Sequence, residues 1–274
     1  MVLLQIFPAI HLMNFKMTLQ SERRKFLIQE LLRENAAGGK TFAPKGAAEE
    51  KQFLRGLMNI RPPRPIGKSF LKIQDEYLRE ETEKKGITEL DSLTPIQDGI
   101  YLWRGDITTL KCGAIVNAAN SGMTGCYYPC HNCIDNCIHT YAGIQLRLDC
   151  ADMMEKQGYE EPTGRAKITP AYNLPCNYVI HTVGPIVQGE LKSQHCKLLA
   201  SCYRSCLKLA DETGITSIAF CCISTGVFMF PSEKAAEIAV RTVKEYKDET
   251  GSKMEVIFNV FKESDEQIYR KILG

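Results

Sequence analysis

The chain has 274 residues and a mass of 30.8 kDa, enough for one large domain or a domain with an appendage, and 44% of it is hydrophobic, enough to bury a core without covalent staples. Its 34 Lys and Arg against 32 Asp and Glu leave a formal charge of +2, and apart from the local "RPPRP" (61–65) there is no long single-sign block, so charge gives no reason to expect nucleic acid or a membrane surface as a partner. No run reaches the roughly 18 apolar residues of a membrane-spanning helix.

The opening "MVLLQIFPAIHLMNF" is apolar but interrupted by Pro8 and His11, carries no Lys or Arg before Lys16, and is followed by no small-residue cleavage site. It predicts no signal peptide, and Met17 is an alternative start. Twelve cysteines without an export signal are expected to be mostly reduced thiols in a cytoplasmic protein. From Ser21 to Gly86 the pattern is helical, with stripes at Phe26, Leu27, Leu31 and Leu32, at Phe53, Leu54, Leu57 and Met58, and at Phe70, Leu71, Tyr77 and Leu78. "NAAGGKTFAPKG" and "NIRPPRPIG" separate them, because Gly and Pro stop helices. Residues 1–90 are therefore expected to be a helical N-terminal extension.

From about Asp98 short apolar strands alternate with helices, which predicts an α/β domain over 91–274 with a largely parallel sheet covered on both faces. The predicted strands are "GIYLWRG", "CGAIVNAAN", "CNYVIHTVG", "TSIAFCCIS" and "KMEVIFNVF". The predicted helices are 134–151, 194–213, 232–248 and 264–273.

In such sheets a ligand lies beyond the carboxyl ends of the strands. There the sequence offers Gly105-Asp106-Ile107-Thr108, Asn117 through Asn120, Gly184-Pro185, and Ser224-Thr225-Gly226-Val227-Phe228. Each alone reads more simply as a turn, a cap or a strand exit. Together they supply what a nucleotide diphosphate needs: a carboxylate for an adenine amino group, amides for ribose hydroxyls, and a Gly-containing loop whose N–H groups can hold phosphate.

"GDIT" (105–108), "AIVNAAN" (114–120), "VIHTVGP" (179–185) and "ISTGVFMFP" (223–231) occur in the order and spacing of the macrodomain, and this part of the chain resembles that ADP-ribose-binding fold. With "GCYYPCHNCIDNCIH" (125–139) and "LRGLMNIRPPRPI" (54–66), nearly the whole chain resembles the zinc-containing macrodomain class of microbial protein-ADP-ribose hydrolases. The resemblance implies a three-layer α/β/α macrodomain with a mixed, largely parallel sheet behind a helical extension. It implies that Asp106 faces the adenine amino group and that Ile107 lines the same pocket. Asn120 would orient the distal ribose, Cys133, Ile134 and Asp135 would line that end of the substrate site, and Ser224 through Phe228 would form the loop over diphosphate and ribose. Met229 departs from the Gly that many macrodomains carry there.

The fifteen residues from Gly125 to His139 hold four of the twelve cysteines and two of the five histidines, a density that points to a metal. The class pattern falls on Cys126, His131 and Cys133, implying one Zn2+ per chain with one coordination position open. Three other readings compete: a structural site of Cys126, Cys130, Cys133 and Cys137; an iron–sulfur cluster of a radical enzyme on Cys126-x3-Cys130-x2-Cys133; and incidental buried thiols. Cys137, His139, His181, Trp103, Tyr127 and Tyr128 are expected to pack.

The activity so implied is zinc-dependent hydrolysis of mono-ADP-ribose from modified protein side chains, with Asn120 and Asp135 as catalytic residues and free ADP-ribose as product. A non-catalytic ADP-ribose reader with a structural zinc is the alternative, and the radical enzyme ranks third. The resemblance also points to a lipoylated glycine-cleavage H-like carrier protein, modified by a sirtuin-type ADP-ribosyltransferase, as substrate.

Overall fold

The computed structural model describes residues 19–34 and 44–274; the apolar opening, Met17 and most of "NAAGGKTFAPKG" lie outside the described residues. Three helices come first: α1 (Gln20–Glu34), α2 (Ala47–Ile60) and α3 (Lys68–Lys85). Each buries one stripe at helical spacing, Leu27, Ile28 and Leu31 from α1, Leu54, Leu57 and Met58 from α2, and Phe70, Ile73, Tyr77 and Leu78 from α3, and these form a hydrophobic cluster of their own that also takes in Ile144. α2 stops where Arg61, at ψ 123°, precedes Pro62, since a following proline disfavours helical backbone. The buried Arg61 guanidinium then spans back to Glu34 of α1, at 2.7 and 2.8 Å, and ties the Pro-rich turn to the bundle.

A two-residue parallel pair follows, β1 (Thr88–Glu89) with β3 (Leu110–Lys111). The main sheet consists of β2 (Ile100–Arg104), β4 (Ala114–Ala119), β5 (Ala166–Pro170), β6 (Tyr178–Val183), β7 (Ser217–Phe220) and β8 (Glu255–Val260), in the order β2-β8-β7-β4-β6-β5. All neighbours are parallel except β5 against β6. β4, β6, β7 and β8 are buried along almost their whole length, as near-continuous apolar runs require in a sheet covered on both faces. The helices are α4 (Ile134–Ala142), α5 (Ile144–Gln157), α6 (Ser193–Thr213), α7 (Ser232–Thr250) and α8 (Glu263–Leu273). α6, α7 and α8 pack side by side, α4 packs on β4 and α5 on β5, giving the three-layer α/β/α architecture.

The five predicted strands form, and the sheet gains β5, whose half-exposed "AKITP" ends in Pro170. Proline is tolerated there because β5 pairs on one side only. The helix expected over 134–151 is instead two helices broken at Gly143, which sits at φ 100°. A Cβ there would lie 2.6 Å from Gln74 Nε2, and Gln74 Oε1 accepts from the Ile144 N–H at 3.0 Å, so a side chain from α3 caps α5.

Candidate functional site

Asp106 follows β2 and caps a short 3-10 turn, Ile107–Thr109. Its Oδ1 accepts from the Thr108 N–H at 3.0 Å and from Thr108 Oγ1 at 2.6 Å, while Oδ2 faces Lys85 Nζ at 2.9 Å. Burial alone would raise this carboxyl's pKa, but the Thr108 bonds and the Lys85 charge outweigh it and hold it below the ordinary aspartate value. Ile107 beside it is buried.

Asn120 leaves β4 and folds back. Its Nδ2 donates to Gly125 O at 3.1 Å and to Asp135 Oδ2 at 3.2 Å, while its Oδ1 accepts from Gly122 N at 3.0 Å. Asp135, in the first turn of α4, is 5% exposed and also accepts from Asn117 Nδ2 at 2.8 Å. Burial pushes its pKa up to about 6, against the hydrogen bonds of Asn117 and Asn120 and the charge of Arg147. Two amides therefore aim one buried carboxylate, and of the two the sequence assigns a role only to Asn120.

The metal-ligand candidates converge. Cys126, His131 and Cys133 bring their ligand atoms within 4.8 Å of one another, with Cys126 Sγ 3.6 Å from His131 Nδ1. Cys133 caps α4, its Sγ accepting from Asn136 N at 3.4 Å, and Ile134 is the first helical residue. Burial pushes the Cys133 thiol up to about 12, so a cation bound here would have to displace its proton. Two sulfurs and one imidazole at this separation fit zinc, whose bonds of about 2.0–2.3 Å need ligand atoms close together. Cys130 and Cys137 stay outside the group: Cys130, at φ 56°, turns its Sγ to Gln52 O at 3.2 Å, and Cys137 Sγ lies 3.6 Å from the Arg55 guanidinium. This geometry matches neither the four-thiolate nor the radical-enzyme spacing.

A second close trio, His139, Cys150 and His181, is wholly buried, with His139 Nε2 3.6 Å from Asp135 Oδ1. His181 is satisfied on both ring nitrogens, by Asn117 Nδ2 at 3.2 Å and Thr169 Oγ1 at 3.0 Å. Because Asn117 Nδ2 is a donor, His181 Nδ1 is its acceptor and Nε2 carries the proton. Burial lowers the His181 pKa to about 3. His139 has no hydrogen bond at either ring nitrogen, and burial with neighbouring His181 and Arg147 keeps it neutral. Gly125, at φ 84°, is where a Cβ would meet His139 Cγ at 2.8 Å. Of the aromatics expected to pack, Trp103 joins the core, but Tyr127 and Tyr128 are exposed, Tyr127 beneath the Arg147 guanidinium at 4.3 Å and Tyr128 edge-on to His131 at 5.6 Å.

After β7 the loop runs through Ser224, Thr225, Gly226, Val227 and Phe228. It is pinned by Thr225 Oγ1 to Cys222 O at 3.0 Å, Phe230 N to Ser224 O at 3.0 Å, and Val187 N to Phe228 O at 2.9 Å. Among the described residues, the N–H groups of Gly226, Val227 and Phe228 have no hydrogen-bond partner, which leaves donors for phosphate oxygens. Ser224 and Met229 both have positive φ, 66° and 54°; Met229 thus takes a conformation that glycine adopts without strain, which explains the Gly expected there.

Residues of the quoted "LRGLMNIRPPRPI" stretch on α2 reach the Cys/His loop. Arg55 of α2 donates to His131 O at 2.7 Å and Asn136 Oδ1 at 2.9 Å, and Asn59 accepts from Cys130 N at 2.9 Å. Arg147 of α5, 5% exposed, donates to the carbonyls of Met58, Asn59 and Arg61 and, through Nε, to Thr124 O at 2.7 Å.

Residues 116–239 match the Macro domain family. Over 259 residues, 93% of this chain and 99% of the relative, the sequence is 60% identical to a protein-ADP-ribose hydrolase of Treponema medium. A protein-ADP-ribose hydrolase of Staphylococcus aureus (strain MRSA252) is 49% identical over 251 residues, 91% of this chain and 94% of that one. The Trypanosoma brucei macrodomain in complex with ADP-ribose superposes with a TM-score of 0.62 at 30% identity, covering 77% of this chain and 92% of that one. The chain belongs to the macrodomain family, in the branch of enzymes whose near-full-length relatives are protein-ADP-ribose hydrolases.

Proposed function

We propose that this enzyme is a zinc-dependent hydrolase that removes mono-ADP-ribose from modified protein side chains, with residues 1–90 as an extension and 91–274 as the macrodomain, acting in the cytoplasm. The observation that carries the reading is the junction of two groups: the Cys126, His131 and Cys133 donors adjoin, through Gly125 and Cys133 themselves, the Asn120–Asp135 pair. In this reading Asp106 accepts from the adenine amino group beside Ile107, and the 224–228 loop donates its free N–H groups to the diphosphate. Asn120 orients the distal ribose, and Asp135, held by two amides, orients the attacking water or the ribose hydroxyl at the bond to be broken. Cys133, Ile134 and Asp135 line that end of the site. Zinc, when held by Cys126, His131 and Cys133, supplies Lewis acidity at the same end of the cleft.

The reader with a structural zinc is disfavoured by what already braces the loop. Arg55, Asn59 and the Asn136 side chain hold it by hydrogen bonds through His131 O, Cys130 N, Cys126 O and Tyr128 O. The substrate is a mono-ADP-ribosylated protein; the lipoylated glycine-cleavage H-like carrier, modified by a sirtuin-type transferase, rests on the family resemblance and is the first protein to try. Among the described residues no helix is long and apolar enough to cross a membrane. The test incubates the protein with mono-ADP-ribosylated carrier and other modified proteins, and follows release of free ADP-ribose. Release supports the hydrolase; tight ADP-ribose binding without release from any of them supports the reader.

A further inference from the structure

The last turn of α3 ends beside Asp106. Lys85 Nζ lies 2.9 Å from Asp106 Oδ2 and 3.3 Å from the centre of the Tyr141 ring on α4, so a carboxylate and an aromatic face fix the ammonium together. Oδ1 of Asp106 is taken by two Thr108 donors, which leaves Oδ2 as the oxygen for a ligand. Among the described residues, Lys85 is the cation paired with it.

Docking of the extension does not account for this pair. α3 is already fixed to the α/β domain by Gln74, which bonds Ile144 N and Gln145, and by Asp75, which accepts from Gln145 and Asn173 at 2.9 and 2.8 Å. An ion pair 31% and 39% exposed adds little to stability. Its weight changes once a ligand covers it, because a carboxylate cut off from water without a partner is costly and would repel the diphosphate of the same ligand.

We propose that Lys85, carried by the helical extension, is a positioning residue of the nucleotide site: it anchors the Asp106 carboxylate in the cleft and supplies its counter-charge when the adenine excludes water. The inference rests on the reading of Asp106 as the acceptor for the adenine amino group. It makes the extension part of the substrate site, beside α4. It also gives the cleft a neutral adenine end, which a free aspartate would not.

The test is calorimetry of the full chain with free ADP-ribose, comparing wild type, Lys85→Met, Lys85→Arg, Asp106→Ala and the Lys85→Met/Asp106→Ala double variant, each with a thermal melt. Lys85→Met keeps the alkyl stem and should raise the Kd about five- to tenfold, less at high salt, while Lys85→Arg should restore most of the affinity. In the Asp106→Ala background the Lys85 substitution should have little further effect, because its partner is gone. If Asp106→Ala weakens binding but Lys85→Met does not, or if Lys85→Met lowers only the melting temperature, Lys85 is a tether and the inference is overturned. If Asp106→Ala leaves affinity unchanged, the reading of Asp106 fails and the inference falls with it.

Discussion

Asn120 donates to Asp135 Oδ2 across 3.2 Å while its own side-chain carbonyl accepts from Gly122 N, so the end of β4 and the start of α4 are joined by one amide that is hydrogen-bonded at both its nitrogen and its oxygen. Asn117, three residues earlier on the same strand, donates to the other oxygen of Asp135 and, through its second N–H, to His181 Nδ1. The carboxylate two residues after Cys133 is thus held by a central strand of the sheet and the residue that follows it. Such rigidity favours one geometry at the bond to be broken.

This coupling can be measured. Asn120→Ala should lower turnover by about two orders of magnitude or more while the metal content and melting temperature stay close to wild type. Asp135→Asn should do the same, and the two losses should be strongly non-additive, since each removes one half of a single unit. Additive losses would mean that the two residues act separately.

The ligand assignment makes a sharper distinction among the cysteines. Elemental analysis should give about one zinc per chain with no visible-absorbing cluster; Cys126→Ser, His131→Ala and Cys133→Ser should each abolish it. Cys130→Ser and Cys137→Ser should retain it, because those sulfurs face Gln52 O and Arg55. Iron with sulfide in the purified protein would contradict the assignment.

His181 should make the protein acid-sensitive. With a native pKa of about 3 against an ordinary 6.5, the unfolded chain binds a proton between those values that the native state does not. Stability from this group is therefore complete above pH about 6.5 and falls with pH below it, by up to roughly 1.4 kcal/mol per unit. Asp135, whose pKa is raised, has the opposite sign, so the difference between wild type and His181→Gln isolates the histidine. Thermal melts from pH 7 to 4 should show a flatter acid limb in the variant; parallel limbs would refute the reading.

Arg147 should matter to the whole assembly. Its removal leaves carbonyls of Met58, Asn59 and Arg61 without their donor inside the protein, so Arg147→Met should cost about 3 kcal/mol or more in denaturant unfolding. A loss below about 0.5 kcal/mol would show that water replaces it.

What was legible in the sequence was what local pattern determines. β4, β6, β7 and β8 are continuous apolar runs, and α6, α7 and α8 carry uninterrupted helical stripes, so each was found within a few residues. Gly143 was not recognised as a break because its cap, Gln74, comes from seventy residues away. β5 is not legible because a half-exposed edge strand ending in proline lacks an apolar signature. At the site, Cys126, His131 and Cys133 were picked from six soft ligands by family pattern, and the fold separates them from Cys130 through the backbone turn at φ 56°. Lys85 and Arg147 lie outside every quoted motif, and Arg55 and Asn117 lie within motifs that do not show their roles, since each acts through partners that only the fold brings near.

The most direct measurement of the central claim is single-turnover release of ADP-ribose from a mono-ADP-ribosylated protein by metal-depleted but folded enzyme, with calorimetry of free ADP-ribose on the same sample. The account predicts that release falls by orders of magnitude and returns on adding zinc, while the affinity for free ADP-ribose changes much less, because the metal acts on the bond being broken rather than on adenine or diphosphate. Release at the wild-type rate from folded, zinc-free protein would contradict it.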